Sequence, residues 1–200
     1  MDLHSEPASG EVWIRGRRLV LRPLLTAEEI DEEWQAMVAA DPLAIGELPD
    51  EDSFRARLRR SGRLLDGWLD LAIDLNGVSI GRIQTFVPAG RALPTGTFDV
   101  GIGLREDMRG KGYGREALAL LRDWLFEQAA AEVVEAATDP GNVAMQAVFR
   151  RVGWAFAGSL ICRSRRMSCL RFRCSRSSSS KVAQPQPGPR SELSLAILVW

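Results

Sequence analysis

A short strand-like run and then a helical apolar pattern open the ordered part of the chain. The sequence RLVLRPL predicts a first strand through residues 19–21. A helix is expected to begin at Thr26, because Thr26 and Glu29 have the spacing of a capping box, and to end at Asp41-Pro42. The apolar residues that define one face of this helix are Ile30, Trp34, Met37 and Val38.

A second helix and a β-hairpin follow. The helix is predicted from about residue 52, with its arginines outward and with an inward face formed by Phe54, Leu58 and Leu65. The period then becomes two in WLDLAIDL, Asn76-Gly77 supplies a type I′ turn, and the return strand begins at Val78. The alternation of apolar and polar residues is interrupted after Ile80, which indicates a bulge near Gly81.

The rest of the chain predicts a strand, a loop, a helix, a strand and a helix. FDVGIGL, at 98–104, predicts a strand, and a helix with a leucine stripe is expected from Gly114. EVVEAAT, at 132–138, predicts another strand, and a last helix is expected over 142–152, closed by Gly153. SLICR and CLRFRC are expected to form a closing hairpin.

Three glycines and three cations fall within RGKGYGRE, between a predicted strand and a predicted helix. A strand that ends in a glycine-rich loop and leads into a helix directs several backbone N–H groups at one point, where the helix dipole also favours negative charge. The glycines permit positive φ and close approach of a ligand. The stretch therefore predicts a pyrophosphate-binding loop, with charge at its rim from Arg109, Lys111 and Arg115.

Two common phosphate-binding motifs do not fit this loop. A P-loop requires GxxxxGK followed by Ser or Thr, but Gly110-Lys111 is followed by Gly112. The dinucleotide-binding fingerprint GxGxxG requires two residues between its last two glycines, and here only Tyr113 separates Gly112 from Gly114. The pattern that remains is Arg-x-x-Gly-x-Gly.

This pattern, directly after a strand, resembles the pyrophosphate-binding motif of the GNAT superfamily of N-acetyltransferases. FDVGIGLREDMRGKGYGREALALLRDWLF is similar to the central strand, loop and helix of the branch that contains ribosomal-protein N-terminal acetyltransferases and aminoglycoside acetyltransferase-like proteins. TDPGNVAMQAVFRRVGW and RLVLRPL are similar to the end and the first strand of that branch, so the resemblance covers roughly residues 15–160. It implies an α/β (α+β) fold with a mixed, mostly antiparallel sheet, flanking helices and a splayed central strand.

The resemblance also implies transfer of an acetyl group from acetyl-CoA to a primary amine, by direct attack in a ternary complex and without a metal. The loop amides would hold the CoA pyrophosphate, the splayed strand would pair with the pantetheine arm, and a strand N–H would receive the developing oxyanion. The implied acceptor is a small-molecule amine or the N-terminal amine of a protein. The residues expected to contact the cofactor are Ile102, Gly103, Leu104, Arg109, Gly110, Lys111, Gly112, Tyr113, Gly114, Arg115, Asn142 and Phe149.

A general base is needed, because an amine of pKa roughly 8 (α-amine) to 10.4 (lysine) is mostly protonated at pH 7. Asp99 is the candidate, since the resembling branch commonly has an acidic residue here on the central strand; the alternative is a solvated strand residue. Many members place a tyrosine general acid where this chain has Phe149, so either water protonates the sulfur or no acid is needed. Two alternatives stay open at this point: Phe149 as core, and Asn142 as an ordinary helix N-cap.

The net charge of zero conceals an acidic body and a basic tail. Residues 161–200 carry seven arginines, one lysine and one acid, a net charge of +7 that the rest of the chain balances. The acidic loop GELPDED, at 46–52, lies where the resembling family forms part of the acceptor cleft, so it is expected either to attract a cationic substrate or to be solvated surface. The only histidine is His4 and the three cysteines form no CxxC pair, so a zinc site, a disulfide framework and a histidine-dependent hydrolase are not indicated.

The expected organisation is a flexible N-terminus (1–12), an acetyltransferase domain (13–174) and a low-complexity, disordered tail (175–200). The longest apolar run, LSLAILVW, is far shorter than the ~20 residues of a membrane span, so a cytoplasmic protein without membrane association is expected. A homodimer is compatible with the sequence. Two other functions stay open: a non-catalytic acyl-CoA-binding protein, and a basic-tail module that binds nucleic acid or an anionic surface, although nucleic acid is the less favoured partner.

Overall fold

One eight-stranded sheet organises the chain in a computed structural model, which describes residues 10–39, 49–87, 96–162 and 167–176. The strands are β1 (Ile14–Arg15), β2 (Val20–Arg22), β3 (Trp68–Leu75), β4 (Val78–Phe86), β5 (Thr97–Leu104), β6 (Val133–Thr138), β7 (Ala155–Cys162) and β8 (Met167–Ser175). The helices are α1 (Ala27–Ala39), α2 (Glu51–Leu58), α3 (Tyr113–Gln128) and α4 (Val143–Arg151), with a 3₁₀ turn at Glu106–Met108. None of these helices is long and apolar enough to cross a membrane.

The strands lie in the order β1-β2-β3-β4-β5-β6-β8-β7, and every neighbouring pair is antiparallel except β5 and β6. The parallel pairing of β5 with β6 is short, from Thr97 opposite Val133 to Asp99 opposite Glu135. Beyond Asp99, β5 stays paired only with β4, while β6 continues along β8. A gap therefore opens in the middle of the sheet. The predicted mixed, mostly antiparallel sheet with flanking helices is confirmed, and its pairing stops within the central strand as expected.

The hairpin of β3 and β4 forms as predicted. Asn76 and Gly77 have φ values of 55° and 87°, which is the pair of positive φ angles that a type I′ turn needs. The ladder then changes register, because two residues of β4, Ile80 and Gly81, lie opposite the single residue Ile73 of β3. The predicted bulge near Gly81 is confirmed.

Gly81 also allows β4 to approach β5 closely. Its φ is 155°, and a Cβ at this position would lie 2.2 Å from the carbonyl oxygen of Gly103. That contact is with backbone and cannot be relieved by a side-chain rotation. A glycine is therefore required where the bulge touches the end of β5.

We expect Gly81→Ala to lower the free energy of unfolding by about 1–3 kcal/mol, because the added methyl group must displace the backbone of β5. The matched control is Gly158→Ala in β7, a strand glycine with φ 109° whose Cβ would have no atom within 4 Å. Urea denaturation compares a positive-φ glycine whose added Cβ clashes with backbone and one whose added Cβ meets no atom. Equal losses of stability in the two variants would contradict the clash at Gly81.

Helices cover both faces of the sheet, but the two buried layers differ in chemistry. The face under α3 and α4 is apolar, with fully buried side chains such as Leu71, Ile83, Val100, Leu118 and Phe149. The face under α1 and α2 has a smaller apolar cluster, Leu24, Ile30, Trp34, Met37, Phe54, Leu58 and Ala72. Charged side chains share this second face. The buried carboxylates of Asp70 and Asp74 are tolerated there because each accepts a hydrogen bond from an arginine.

Some sequence predictions need correction. The strand β1 was not predicted, and Leu65, predicted on the inward face of α2, lies beyond the end of that helix in a bridge with Trp68. Arg57 does not point outward, because its guanidinium lies 4.7 Å from the ring centroid of Trp68 and pairs with a buried aspartate. The predicted helix stop at 41–42, residues 46–48 of the acidic loop, and residues 1–9 and 177–200 lie outside the described residues.

Candidate active site

The glycine-rich loop connects the end of β5 to the N-terminus of α3. Gly112 is the N-cap of α3 with φ 82°, and Gly110 has φ 74°, so both adopt the left-handed conformation that favours glycine. A Cβ on Gly110 would meet no atom within 4 Å, and one on Gly112 would meet only Nη2 of Arg18, at 3.6 Å. The first N–H groups of α3 have no acceptor within the helix. The loop therefore presents open space and backbone donors to an anion.

An ion pair that the sequence analysis missed fixes this loop to the start of β2. Nε of Arg18 donates to Oε2 of Glu116 at 2.8 Å, and the backbone N–H of Arg18 donates to Oε1 at 2.7 Å. Arg18 also donates to the carbonyl of Lys111 at 3.2 Å and lies 4.8 Å from the ring centroid of Tyr113. Burial acts to raise the pKa of Glu116, but the hydrogen bonds from Arg18 outweigh it and the pKa is lowered. Glu116 therefore stays ionised and holds the loop near neutral pH.

The predicted rim cations surround the loop as expected. Arg109, Lys111 and Arg115 are all exposed. Nε of Arg109 donates to the carbonyl of Leu104 at 3.0 Å, which ties the loop to the last residue of β5.

The end of β5 and the first turn of α3 are in direct contact. A Cβ on Gly114 would lie 3.5 Å from Cδ1 of Leu104 and 3.9 Å from Cδ1 of Ile102. Ile102 is 4% exposed on the α3 side of the sheet, and Gly103 and Leu104 are partly exposed. The structure therefore brings the predicted strand residues and loop residues together in one site.

Asn142 and Phe149 occupy structural positions on α4. Oδ1 of Asn142 accepts a hydrogen bond from the backbone N–H of Met145 at 3.0 Å, so the alternative of a helix N-cap is confirmed. Phe149 is fully buried, with ring centroids 5.2 Å from Trp154 and 5.0 Å from Phe172. The alternative of a core residue is confirmed for Phe149. Contact of either residue with a cofactor stays a prediction.

Asp99 is 6% exposed, so the alternative of a solvated strand residue is wrong. It lies at the last register position before the gap, opposite Glu135 on β6. Glu135 is 1% exposed and accepts a hydrogen bond from Nε of Arg173 at 2.6 Å. From Asp99 to Gly103, on the same face of the sheet, the strand extends about 13 Å.

A cavity of about 350 Å³ lies between α1 and the ends of β4 and β5. Its wall includes Gly103, Leu104 and Arg109 from the loop side, and Glu33 and Arg82 from the helix side. Sequence analysis missed the last two residues. Glu33 is a charged position among others on α1, and only the folded sheet places Arg82 against it, with Nε 3.0 Å from Oε2.

The sheet opens between β5 and β6, the glycine-rich loop follows β5, and the cavity lies at the same end of the sheet. These three features together are those of an acyltransferase fold. The model of the acetyltransferase (GNAT) domain matches residues 18–155, and the chain belongs to this family of acyltransferase enzymes. A search of curated proteins finds no match.

Solved structures show the same fold. An acetyltransferase from Agrobacterium tumefaciens str. C58 is 26% identical over 86% of this chain and 99% of its own, with a TM-score of 0.65. RimJ of Mycobacterium smegmatis, in complex with CoA-disulfide, is 20% identical over 82% of this chain and 84% of its own, with a TM-score of 0.64. An aminoglycoside acetyltransferase in complex with coenzyme A is 16% identical over 80% and 96%, with a TM-score of 0.64.

Proposed function

We propose that the protein transfers the acetyl group of acetyl-CoA to a primary amine in a ternary complex. The observation that carries this proposal is the position of the open glycine loop beside the unpaired edge of β5. A pyrophosphate at the loop and an extended amide chain along the strand edge are the two parts of one ligand, the CoA arm. The proposed acetyltransferase domain spans residues 13–174.

The loop supplies the binding of the pyrophosphate in this proposal. Backbone N–H groups of 110–115 point at the anion from the N-terminus of α3, where the helix dipole adds favourable charge. Arg109, Lys111 and Arg115 add positive charge at the rim, and Tyr113 is held beneath Arg18. The Arg18–Glu116 pair keeps these donors in place before the ligand arrives, which lowers the entropy lost on binding.

The strand supplies the binding of the pantetheine arm and the thioester. From Val100 to Leu104, β5 has one edge that no strand of the described residues pairs, so its backbone groups can pair with the amides of pantetheine. A backbone N–H near 102–104 receives the charge that develops on the thioester oxygen, a contribution of typically 10²- to 10³-fold for one donor. Asn142 and Phe149 border the cofactor from α4 in this proposal.

The chemical step forms a C–N bond and breaks the C–S bond of the thioester. The ammonium first loses one proton through water to the carboxylate of Asp99, and the neutral amine then attacks the thioester carbonyl. As the amide forms, CoA leaves as a thiolate and the nitrogen releases its second proton to solvent water. A thiol of pKa near 8.5 can leave without a general acid, which suits a chain with Phe149 in place of the tyrosine. Asp99 is buried and lies about 13 Å along the strand from Gly103, so transfer through water is the route in this proposal.

The proposed acceptor is a small-molecule amine or the N-terminal amine of a protein. Structural relatives include a putative ribosomal-protein-serine acetyltransferase from Vibrio cholerae and an aminoglycoside acetyltransferase. Another relative is named a ribosomal L7/L12 alpha-N-protein acetyltransferase, and these names motivate the choice of a protein or an aminoglycoside as acceptor.

The test measures thiol release from acetyl-CoA with a panel of primary amines: aminoglycosides, polyamines and peptides with free N-termini. We expect calorimetry to show binding of acetyl-CoA and at least one amine to accelerate thiol release. Binding without acceleration by any amine would indicate an acyl-CoA-binding protein without catalysis. Absence of binding would contradict the proposal altogether.

A further inference from the structure

A row of ion-paired side chains of alternating charge crosses the sheet beneath α1 and α2 and ends at the cavity. Nε of Arg57 lies 3.1 Å from Oδ2 of Asp70, and Nη1 of Arg82 lies 2.6 Å from Oδ1 of the same aspartate. Nε of Arg82 then donates to Oε2 of Glu33 at 3.0 Å. The two arginines are balanced by the two carboxylates. Glu33 is the last residue of this row and lies at the cavity wall.

Glu33 has an unused acceptor at the cavity wall. Its side chain is 20% exposed, whereas that of Asp70 is 2% exposed. Within the described part of the chain, Oε1 of Glu33 makes no hydrogen bond, while Oε2 is bonded to Arg82. A carboxylate held on one oxygen and open on the other is prepared to accept a donor from the cavity.

We propose that Glu33 binds the acceptor in this cavity as the carboxylate that holds its protonated amine beside Gly103 and Leu104. This inference rests on the proposed function, because it places the acceptor next to the strand that would hold the thioester. It specifies a substrate that enters as a cation. Glu33 orients the nitrogen, and the ammonium still loses its proton through water to Asp99 before it attacks.

The charges that face Glu33 come from several elements. Arg82 on β4 faces it directly, Asp70 on β3 lies behind Arg82, and Glu32 is its neighbour on α1. From the loop side the cavity is lined by Arg105, Glu106 and Arg109. The arginines are engaged elsewhere: Arg105 lies 3.6 Å from Asp107, and Arg109 donates to the carbonyl of Leu104.

Burial raises the pKa of Glu33, against the opposing effect of Arg82. A substrate ammonium at Oε1 would place a second positive charge, besides that of Arg82, next to the Glu33 carboxylate. This charge would stabilise the ionised form that burial disfavours. The same burial weakens binding as pH falls through that raised pKa, because the carboxyl group then becomes neutral.

Glu29, one helical turn earlier on α1, provides a comparison. Both of its oxygens are engaged, by the guanidinium of Arg22 and by the backbone N–H of Leu25. Burial acts to raise the pKa of Glu29, but these bonds outweigh it and lower the pKa. Glu29 is not part of the cavity wall. Glu33 therefore differs from Glu29 in two respects that matter for a ligand: it has a free oxygen, and it lies at the cavity wall.

The test follows the Glu33 carboxyl group directly by carbon NMR of protein labelled with [δ-¹³C]glutamate, assigned by comparison with Glu33→Gln. Three probes are titrated into the CoA-saturated protein: ribostamycin, spermidine and trialanine amide. We expect at least one amine to shift the Glu33 resonance in a saturable way. We also expect Glu33→Gln to weaken that amine's Kd, measured by calorimetry, by about tenfold or more, since a hydrogen bond to a charged group contributes about 1.5–3 kcal/mol.

Controls separate this inference from the function on which it rests. Glu29→Gln should leave the Kd of the amine unchanged while lowering Tm, and both variants should keep the wild-type Kd for acetyl-CoA. In turnover, Glu33→Gln should raise KM for the amine more than it lowers kcat. No shift of the Glu33 resonance with any probe, or equal amine affinity in Glu33→Gln, would overturn the role of Glu33. Amine binding at Glu33 without any acetyl-CoA binding would instead overturn acetyl transfer and leave the amine site standing.

Discussion

Asp99→Asn should lower kcat/KM by about 10²-fold or more at neutral pH and leave the affinity for acetyl-CoA unchanged. The substitution preserves the size of the side chain but removes the carboxylate that would accept the amine's proton in the proposed mechanism. The loss should become smaller as pH rises, because the amine then loses its proton to solvent. Recovery should come at lower pH for an α-amine, of pKa roughly 8, than for a lysine, of pKa roughly 10.4. A pH profile of kcat/KM for wild type and variant measures this.

The matched control for Asp99 is Glu135→Gln, which changes the buried carboxylate directly opposite it on β6. Glu135 accepts hydrogen bonds from Arg173, so this variant should lose stability without acquiring the pH-dependent recovery. Wild-type activity of Asp99→Asn at pH 7 would remove Asp99 from the mechanism. A loss that is the same at every pH in both variants would mean that these residues position the strand rather than transfer a proton.

Gly112→Asn should weaken acetyl-CoA binding about 100-fold or more while the protein still folds. Asparagine tolerates the left-handed conformation at φ 82° better than other residues with a Cβ, so the backbone strain stays small. Its side chain would occupy the open space in front of the loop, where a pyrophosphate would lie. Calorimetry with acetyl-CoA measures the effect.

Gly153→Asn is the control for this substitution. Gly153 also has φ 82° and open space around a built Cβ, but it lies at the C-terminal end of α4. The two variants share the same φ of 82° and place the new side chain on different surfaces. Equal affinities for acetyl-CoA in wild type and Gly112→Asn would remove the basis of the proposed cofactor site.

Features that depend on neighbouring residues could be predicted from the sequence. The turn at Asn76-Gly77 and the left-handed glycines of the loop are specified by residue types that tolerate positive φ, so their positions can be recognised without knowledge of the fold. The cap at Thr26 follows the same logic, since its Oγ1 accepts from the backbone N–H of Glu29 at 3.2 Å. Local chemistry at each position selects one backbone conformation.

Features that depend on distant residues could not be predicted in this way. The ion pair between Arg18 and Glu116 joins positions 98 residues apart, and in the sequence each is indistinguishable from an ordinary surface charge. Glu33 and Arg82 meet only because α1 packs on β4. Asp99 is predicted from the sequence to be either catalytic or solvated, and its burial opposite Glu135 is evident only in the folded sheet. In each case only the folded structure determines which residues become neighbours.

The gap between β5 and β6 also bears on how the protein avoids unwanted association. An unpaired strand edge is normally a liability, because it can template pairing with a strand of another molecule. Here the edge from Val100 to Leu104 lies in the interior of a sheet, within a wedge that the three register pairs at Thr97–Asp99 close at one end. A second protein chain, with side chains on both faces, would have to force the wedge apart. An amide chain without side chains, such as the CoA arm, is narrower and would not force the wedge apart. The fold can therefore leave this strand edge open to a ligand while it prevents pairing with a strand of another protein.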